Sequence, residues 1–187
     1  MSARAAGDRV DYTITYLEMA ERPSYPRPPL PMGRKLALLR AEAPPVWYFL
    51  SLYDAVGAAH EWTDMHTRPQ AELEAFVQDP QVHLYTLICD GWPAGFFQCD
   101  FRTAGVGALA YFGLVPEAVG KGLGTYLLKT AIHTLWDGPG VARLTVETCT
   151  LDHPRALPLY QKMGFVPSRQ ASASRVLTRP HPLPEEL

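Results

Sequence analysis

The 187-residue sequence has only three cysteines, Cys89, Cys99 and Cys149, an odd and scattered set without a CxxC pair. That spacing excludes a disulfide framework and a zinc ribbon and points to a reducing compartment. Net charge is small as well: 17 Lys and Arg stand against 19 Asp and Glu, a formal net charge of -2. Such a chain projects no global basic field, which disfavours nucleic acid as a partner. No apolar run approaches the roughly 20 residues of a membrane helix, and residues 1–7 lack the apolar centre of a signal peptide. The expectation is a cytoplasmic protein that does not engage a membrane. His60-Glu61 has Asp64 where a zinc-protease helix would carry its second histidine, and the other histidines show no ligand spacing. No metal is therefore predicted. Repeats and low-complexity linkers are missing too, so residues 1–187 read as one domain with loose tails at 1–9 and 180–187.

What the chain does have is a legible series of elements. Residues 10–18 alternate Tyr12, Ile14 and Tyr16 with Asp11, Thr13 and Thr15, the period of a half-buried strand. Residues 21–33 hold Pro23, Pro26, Pro28, Pro29 and Pro31, which favours an extended surface connection or a docking arm. A second strand is predicted at 35–42, a helix at 46–59 and a short amphipathic helix at 70–78. Asp90-Gly91 between apolar runs predicts a hairpin of 82–89 with 93–102, and the strand at 108–114 completes an antiparallel meander. A helix follows with a polar stripe of Thr125, Lys129 and His133, then a strand over 141–150. Asp152 or His153, with Pro154, reads as the cap of a further helix that reaches Tyr160 and stops at Gly164. Two short strands at 165–167 and 173–178 end the series.

The chain is organised around residues 108–136, ALAYFGLVPEAVGKGLGTYLLKTAIHTLW. A buried strand runs into a Pro-marked break at Val115-Pro116, then into Gly120, Gly122 and Gly124 at the start of a helix. Glycines let a ligand approach the backbone, and the free amides of a helix start favour an anion. A P-loop would need glycine at Val115 and Ser or Thr at Gly122; a dinucleotide fingerprint would need glycine at Thr125. Both are excluded, and a phosphate cradle remains.

The stretch VPEAVGKGLG resembles the pyrophosphate loop of GNAT-type N-acetyltransferases, and Ala156, Tyr160, Gly164 and Phe165 match their second motif, A-xxx-Y-xxx-G-F. The resemblance spans roughly residues 82–167. It implies an α/β (α+β) fold with a mixed sheet of six to seven strands, splayed at the cofactor site and flanked by about four helices. It also implies acetyl-CoA as co-substrate. Leu114 and Val115 would offer main-chain groups to pantetheine. Val119, Gly120, Lys121, Gly122, Leu123, Gly124 and Thr125 would surround the pyrophosphate, with Ala156 beside them. Val119 stands where the family usually has Gln or Arg, which leaves Lys121 to supply charge. His153, where the family commonly has Asn, either touches the cofactor or caps its helix.

The same resemblance makes Tyr160 the general acid for the departing thiolate, the other reading being a tyrosine packed on the sheet. Gly107 and Ala108 leave the preceding strand without the acid that many relatives use as base. The base is then Glu147, or His60 or Glu61, or a water chain. Cys149 has no histidine beside it in sequence, so direct attack in a ternary complex is preferred to an acetyl-cysteine. Trp47, Tyr48, Phe49, Tyr53, Trp62 and Tyr111 are candidate walls for the acceptor, a small-molecule or peptide amine. The activity predicted is N-acetyl transfer to a primary amine. The alternative is a catalytically weak or inactive acyl-CoA sensor. A homodimer is compatible with the family and the Pro-rich segment.

Overall fold

The computed structural model describes residues 3–182. Among the described residues nine strands form, β1 (Ala3–Arg4), β2 (Arg9–Met19), β3 (Leu36–Ala41), β4 (Val82–Cys89), β5 (Trp92–Asp100), β6 (Val106–Leu114), β7 (Arg143–Cys149), β8 (Val166–Val176) and β9 (His181–Pro182). Four α-helices accompany them, α1 (Val46–Gly57), α2 (Gln70–Val77), α3 (Leu123–Trp136) and α4 (Ala156–Lys162). Seven strands make one mixed sheet in the order β3-β4-β5-β6-β7-β2-β8. The meander β4-β5-β6 is antiparallel as its turn residues require, and α3 carries the chain from β6 to a parallel β7.

The position of the site follows from one irregularity in β6. Gln98 pairs with Tyr111 but Cys99 pairs with Leu109, so Ala110 is an extra residue, a β-bulge. A bulge shifts the period of two by one and turns the later side chains to the other face. A Cβ on Gly107 would meet Leu135 of α3, whereas one on Gly113 would lie 2.3 Å from Val56 of α1. Tyr111 thereby joins the aromatic cluster of Phe49 and Tyr53 on the α1 side. Phe112 faces Tyr160 of α4. The parallel pairing of β6 with β7 spans Val106↔Arg143 to Leu109↔Val146 and stops at the bulge. Beyond it the two strands separate.

Phe49, Phe96 and Phe97 are fully buried at the core between sheet and helices, each stabilising the fold by about 1.5–3 kcal/mol. β2 buries Thr15, Leu17 and Met19 and leaves Tyr12, Ile14 and Tyr16 half-buried. The tyrosine row therefore faces the open side of the sheet. The Pro-rich segment is a strap on α3. Arg22 and Arg27 bind Asp137 at 2.6 and 2.7 Å, the Tyr25 hydroxyl donates to the Met163 carbonyl at 3.0 Å, and Lys129 sits over the Tyr25 ring. From Tyr25 to Gly33 one residue in three is half-buried, the period of a polyproline helix laid on a surface. Of the polar stripe of α3, Lys129 and His133 are thus covered, with His133 buried, while Thr125 stays exposed.

Three boundaries differ from those the sequence predicts. One strand, β8, replaces two short ones, because its run of Ser, Ala and Gln pairs with β2 through backbone groups and needs no apolar side chains at a sheet edge. Helix α4 starts at Ala156, with Asp152 and His153 in the preceding turn. Ala3–Arg4 pairs with His181–Pro182 where loose tails were expected, while residues 1–2 and 183–187 lie outside the described part. Among the described residues no helix is long and apolar enough to cross a membrane.

Candidate active site

A cavity of about 450 Å³ opens where β6 and β7 part. One side is the main chain of β6 from Leu109 to Leu114, and the facing side is Val146 and Glu147 of β7. Its floor is the glycine turn: Val119, Gly120, Gly122, Gly124 and Thr125 all line it. Gly120 and Gly122 have φ of +80° and +76°, a left-handed conformation that costs other residues about 1–2 kcal/mol. The amides of Gly120, Lys121 and Gly122 make no main-chain hydrogen bond among the described residues, and the first amides of α3 have no partner within the helix. Several N–H donors without main-chain partners therefore lie at one end of the cavity.

His153, Ala156 and Tyr160 line the opposite side together with Asp152. Tyr160 is buried between Phe112 and Phe165, with ring centroids 6.1 and 6.0 Å away. Its hydroxyl makes no hydrogen bond among the described residues, and burial holds the phenol well above its ordinary pKa. His153 Nδ1 accepts from the Arg155 amide at 3.2 Å, a local turn contact ahead of α4. The His153 ring lies 6.1 Å from that of His60, whose pKa is lowered, chiefly by burial.

Three residues of the expected cofactor set do not line the cavity with their side chains. Val115 is buried, its amide donating to Ala94 at 3.0 Å and its carbonyl accepting from Ala118 at 2.9 Å, so its amide is already engaged within the fold. Lys121 leaves the turn and sits 5.7 Å over Trp92. Leu123 points into the core. Among the candidate bases, Glu61 is withdrawn: its carboxylate is buried and accepts from the Thr178 amide and hydroxyl and the Arg179 amide at 3.0, 3.1 and 3.2 Å. It anchors the chain after β8. Glu147 is exposed on the cavity wall, and its carboxyl is pushed up by partial burial first and by the Asp152 charge second, with Arg169 opposing.

Of the aromatic candidates only Trp62 and Tyr111 reach the cavity, 5.4 Å apart. Phe49 and Tyr53 are core, Tyr48 hydrogen-bonds Thr86, and Trp47 is exposed. The Cys149 thiol is pushed up to about 11 by burial and by Asp152 and does not line the cavity, which leaves it inert as a nucleophile. Asp152 was legible only as a helix cap. Its contacts depend on the path of the chain after β7, which no local pattern encodes.

A seven-stranded mixed sheet, split between its two parallel neighbours and with a glycine turn at the split, defines a GNAT fold. The sequence matches the Acetyltransferase (GNAT) family over residues 23–165, and the chain belongs to that family of acyltransferases. Solved structures agree on the fold. A GCN5-related N-acetyltransferase from Kribbella flavida superposes with a TM-score of 0.57 at 16% identity, covering 87% of this chain and 56% of that one. A GCN5-related N-acetyltransferase from Sphaerobacter thermophilus gives 0.57 at 17% over 97% and 55%. A tandem GNAT protein from the clavulanic acid biosynthesis pathway gives 0.60 at 19% over 92% and 55%. The chain thus spans about half the length of these structures. No curated protein matches it.

Proposed function

We propose that this chain is an N-acetyltransferase that moves an acetyl group from acetyl-CoA to a primary amine by direct attack. The observation that carries this reading is one continuous cavity running from the glycine turn, past the stretch of β6 that β7 no longer pairs, to Glu147. Its residues suit the donor. The amides of Gly120 to Thr125 would hold the pyrophosphate, since they lie at one end of the cavity without main-chain partners, and Gly120 and Gly122 leave the space beside them open. The β6 segment after Ala110 would pair with the pantetheine arm as an added strand. Val119 contributes apolar contact only, so the cradle rests on backbone dipoles.

Acetyl-CoA supplies an activated acyl carbon and a thiol leaving group. The chain supplies position and proton traffic. Glu147, its carboxyl raised toward neutrality, takes a proton from the incoming ammonium directly or through water. The amine nitrogen then bonds to the acyl carbon while the carbon–sulfur bond breaks, the sulfur leaves as CoA thiolate, and the nitrogen's surplus proton passes through solvent to that thiolate, leaving a neutral amide and CoA thiol. Main-chain N–H groups of β6 steady the oxygen, and the Tyr160 hydroxyl faces the sulfur. Trp62 and Tyr111 wall the acceptor end.

The test is a thermal-shift titration with CoA followed by thiol-release assays over aminoglycosides, polyamines, amino acids and peptide N-termini. Stabilisation by CoA and thiol release with at least one amine are expected. Stabilisation without release from any amine would favour an acyl-CoA sensor, and no stabilisation would overturn both readings.

A further inference from the structure

Asp152 stands on the cavity wall with its two carboxylate oxygens bound to different parts of the fold. Oδ2 accepts from the Thr148 hydroxyl at 2.7 Å and the Cys149 amide at 2.9 Å, which holds the last residues of β7. Oδ1 accepts from the Trp62 indole N–H at 3.1 Å. Trp62 lies between the short 3-10 turns at 58–60 and 64–67, outside every strand and α-helix. Its ring crosses Gly57, where a Cβ would lie 2.4 Å away, and it packs 5.4 Å from both Tyr53 and Tyr111. The indole is therefore oriented by packing on one side and by Asp152 on the other.

We propose that Asp152 is a positioning residue that locks the Trp62 wall to the end of β7, so that the acceptor side of the cavity and Glu147 move as one unit. Hydrogen bonds to a carboxylate are the strong class, and losing one partner leaves the others misaligned. Asp152 also sets the field at Glu147. Around that carboxyl stand Tyr16 opposite it on β2, Tyr12 further along β2, Tyr111 on β6, Arg169 on β8 and Asp64 in the 64–67 turn. Arg169 is held 3.8 Å over the Tyr16 ring, and Asp152 is the leading charge among these neighbours.

Carboxyl-carbon NMR of Glu147 in the free protein tests the field. In Asp152→Asn its titration midpoint moves to lower pH, because a negative neighbour has been removed. The indole N–H resonance of Trp62, assigned with Trp62→Phe, tests the lock: it shifts in Asp152→Asn and also in Thr148→Val, although Thr148 and Trp62 share only Asp152. A folded Asp152→Asn protein with both signals unchanged overturns the proposal. If Asp152→Asn does not fold, an unchanged indole signal in Thr148→Val overturns it. Both measurements use the free protein and decide the matter whether or not an amine is acetylated. The kinetic consequence alone rests on the proposed acetyl transfer: with an accepted amine, the acid limb of kcat/KM moves in the same direction.

Discussion

Tyr160 shows how burial reshapes a role suggested by residue type. A phenol of ordinary pKa about 10 is a plausible acid toward a thiolate of pKa about 8.5. Transfer from such a phenol to the sulfur already runs somewhat uphill, and burial in the apolar site between Phe112 and Phe165 raises its pKa further, which disfavours full proton transfer. Under the proposed function, the hydroxyl then acts as a neutral hydrogen-bond donor to the leaving group, worth roughly 1.5–3 kcal/mol. Tyr160→Phe keeps the ring packing and is expected to lower kcat about 10- to 100-fold, at 1.36 kcal/mol per tenfold, with little change in KM for acetyl-CoA. Thiol-release kinetics measure this. An unchanged kcat removes Tyr160 from the mechanism, and a loss beyond about 10⁴-fold restores it as a full acid.

At the scale of elements, the glycine turn and the β6 bulge differ in how far they can be read from sequence. Gly120, Gly122 and Gly124 are visible as a spacing, and the cavity forms beside them. Their reasons differ. Gly122 needs its left-handed backbone, so Gly122→Ala is expected to cost about 1–2 kcal/mol and several degrees of melting temperature. Gly124 has no such need, and a Cβ there would lie 3.7 Å from Leu114, an ordinary contact. Gly124→Ala is expected to melt no lower than the parent, since Ala favours a helix, but to raise KM for acetyl-CoA by narrowing the cavity. Melting curves paired with CoA titrations separate the two; the reverse pattern would contradict this assignment. The bulge at Ala110 leaves no mark in the apolar pattern of β6. It follows from the register with β5, and without it Tyr111 would face away from Trp62.

At the scale of the whole molecule, three histidines from different regions share one liability. His60, His83 and His133 each have a lowered pKa, with burial the leading cause. The unfolded chain takes up their protons first, so stability is full above the unfolded pKa of about 6.5 and is lost as pH falls through it. Glu147, with a raised carboxyl, works in the opposite sense, while Asp100 and Asp137, both lowered, act only in more acid solution. His133 is the cleanest probe, since its Nε2 is buried under the strap with no hydrogen-bond partner among the described residues, close to Arg22 and Arg27. Thermal melts between about pH 7.5 and 5.5 are expected to show a smaller loss for His133→Gln than for the parent chain. Equal losses would place the acid sensitivity elsewhere.

The sequence by itself determined the meander, the crossover to a parallel strand, the glycine turn and Tyr160, because turn residues, periodicity and local conformational need are written in neighbouring positions. It also carried both halves of the GNAT motif. Tertiary structure alone decided that the side chains of Val115, Lys121 and Leu123 turn away from the cavity, that Glu61 is an anchor, and that Asp152 joins β7 to Trp62. Each of those outcomes depends on which distant backbone or ring a side chain meets, and such meetings are fixed by strand register and packing. The bulge at Ala110 does most to set them: one extra residue marks where β6 and β7 part beside the cavity and turns Tyr111 toward Trp62.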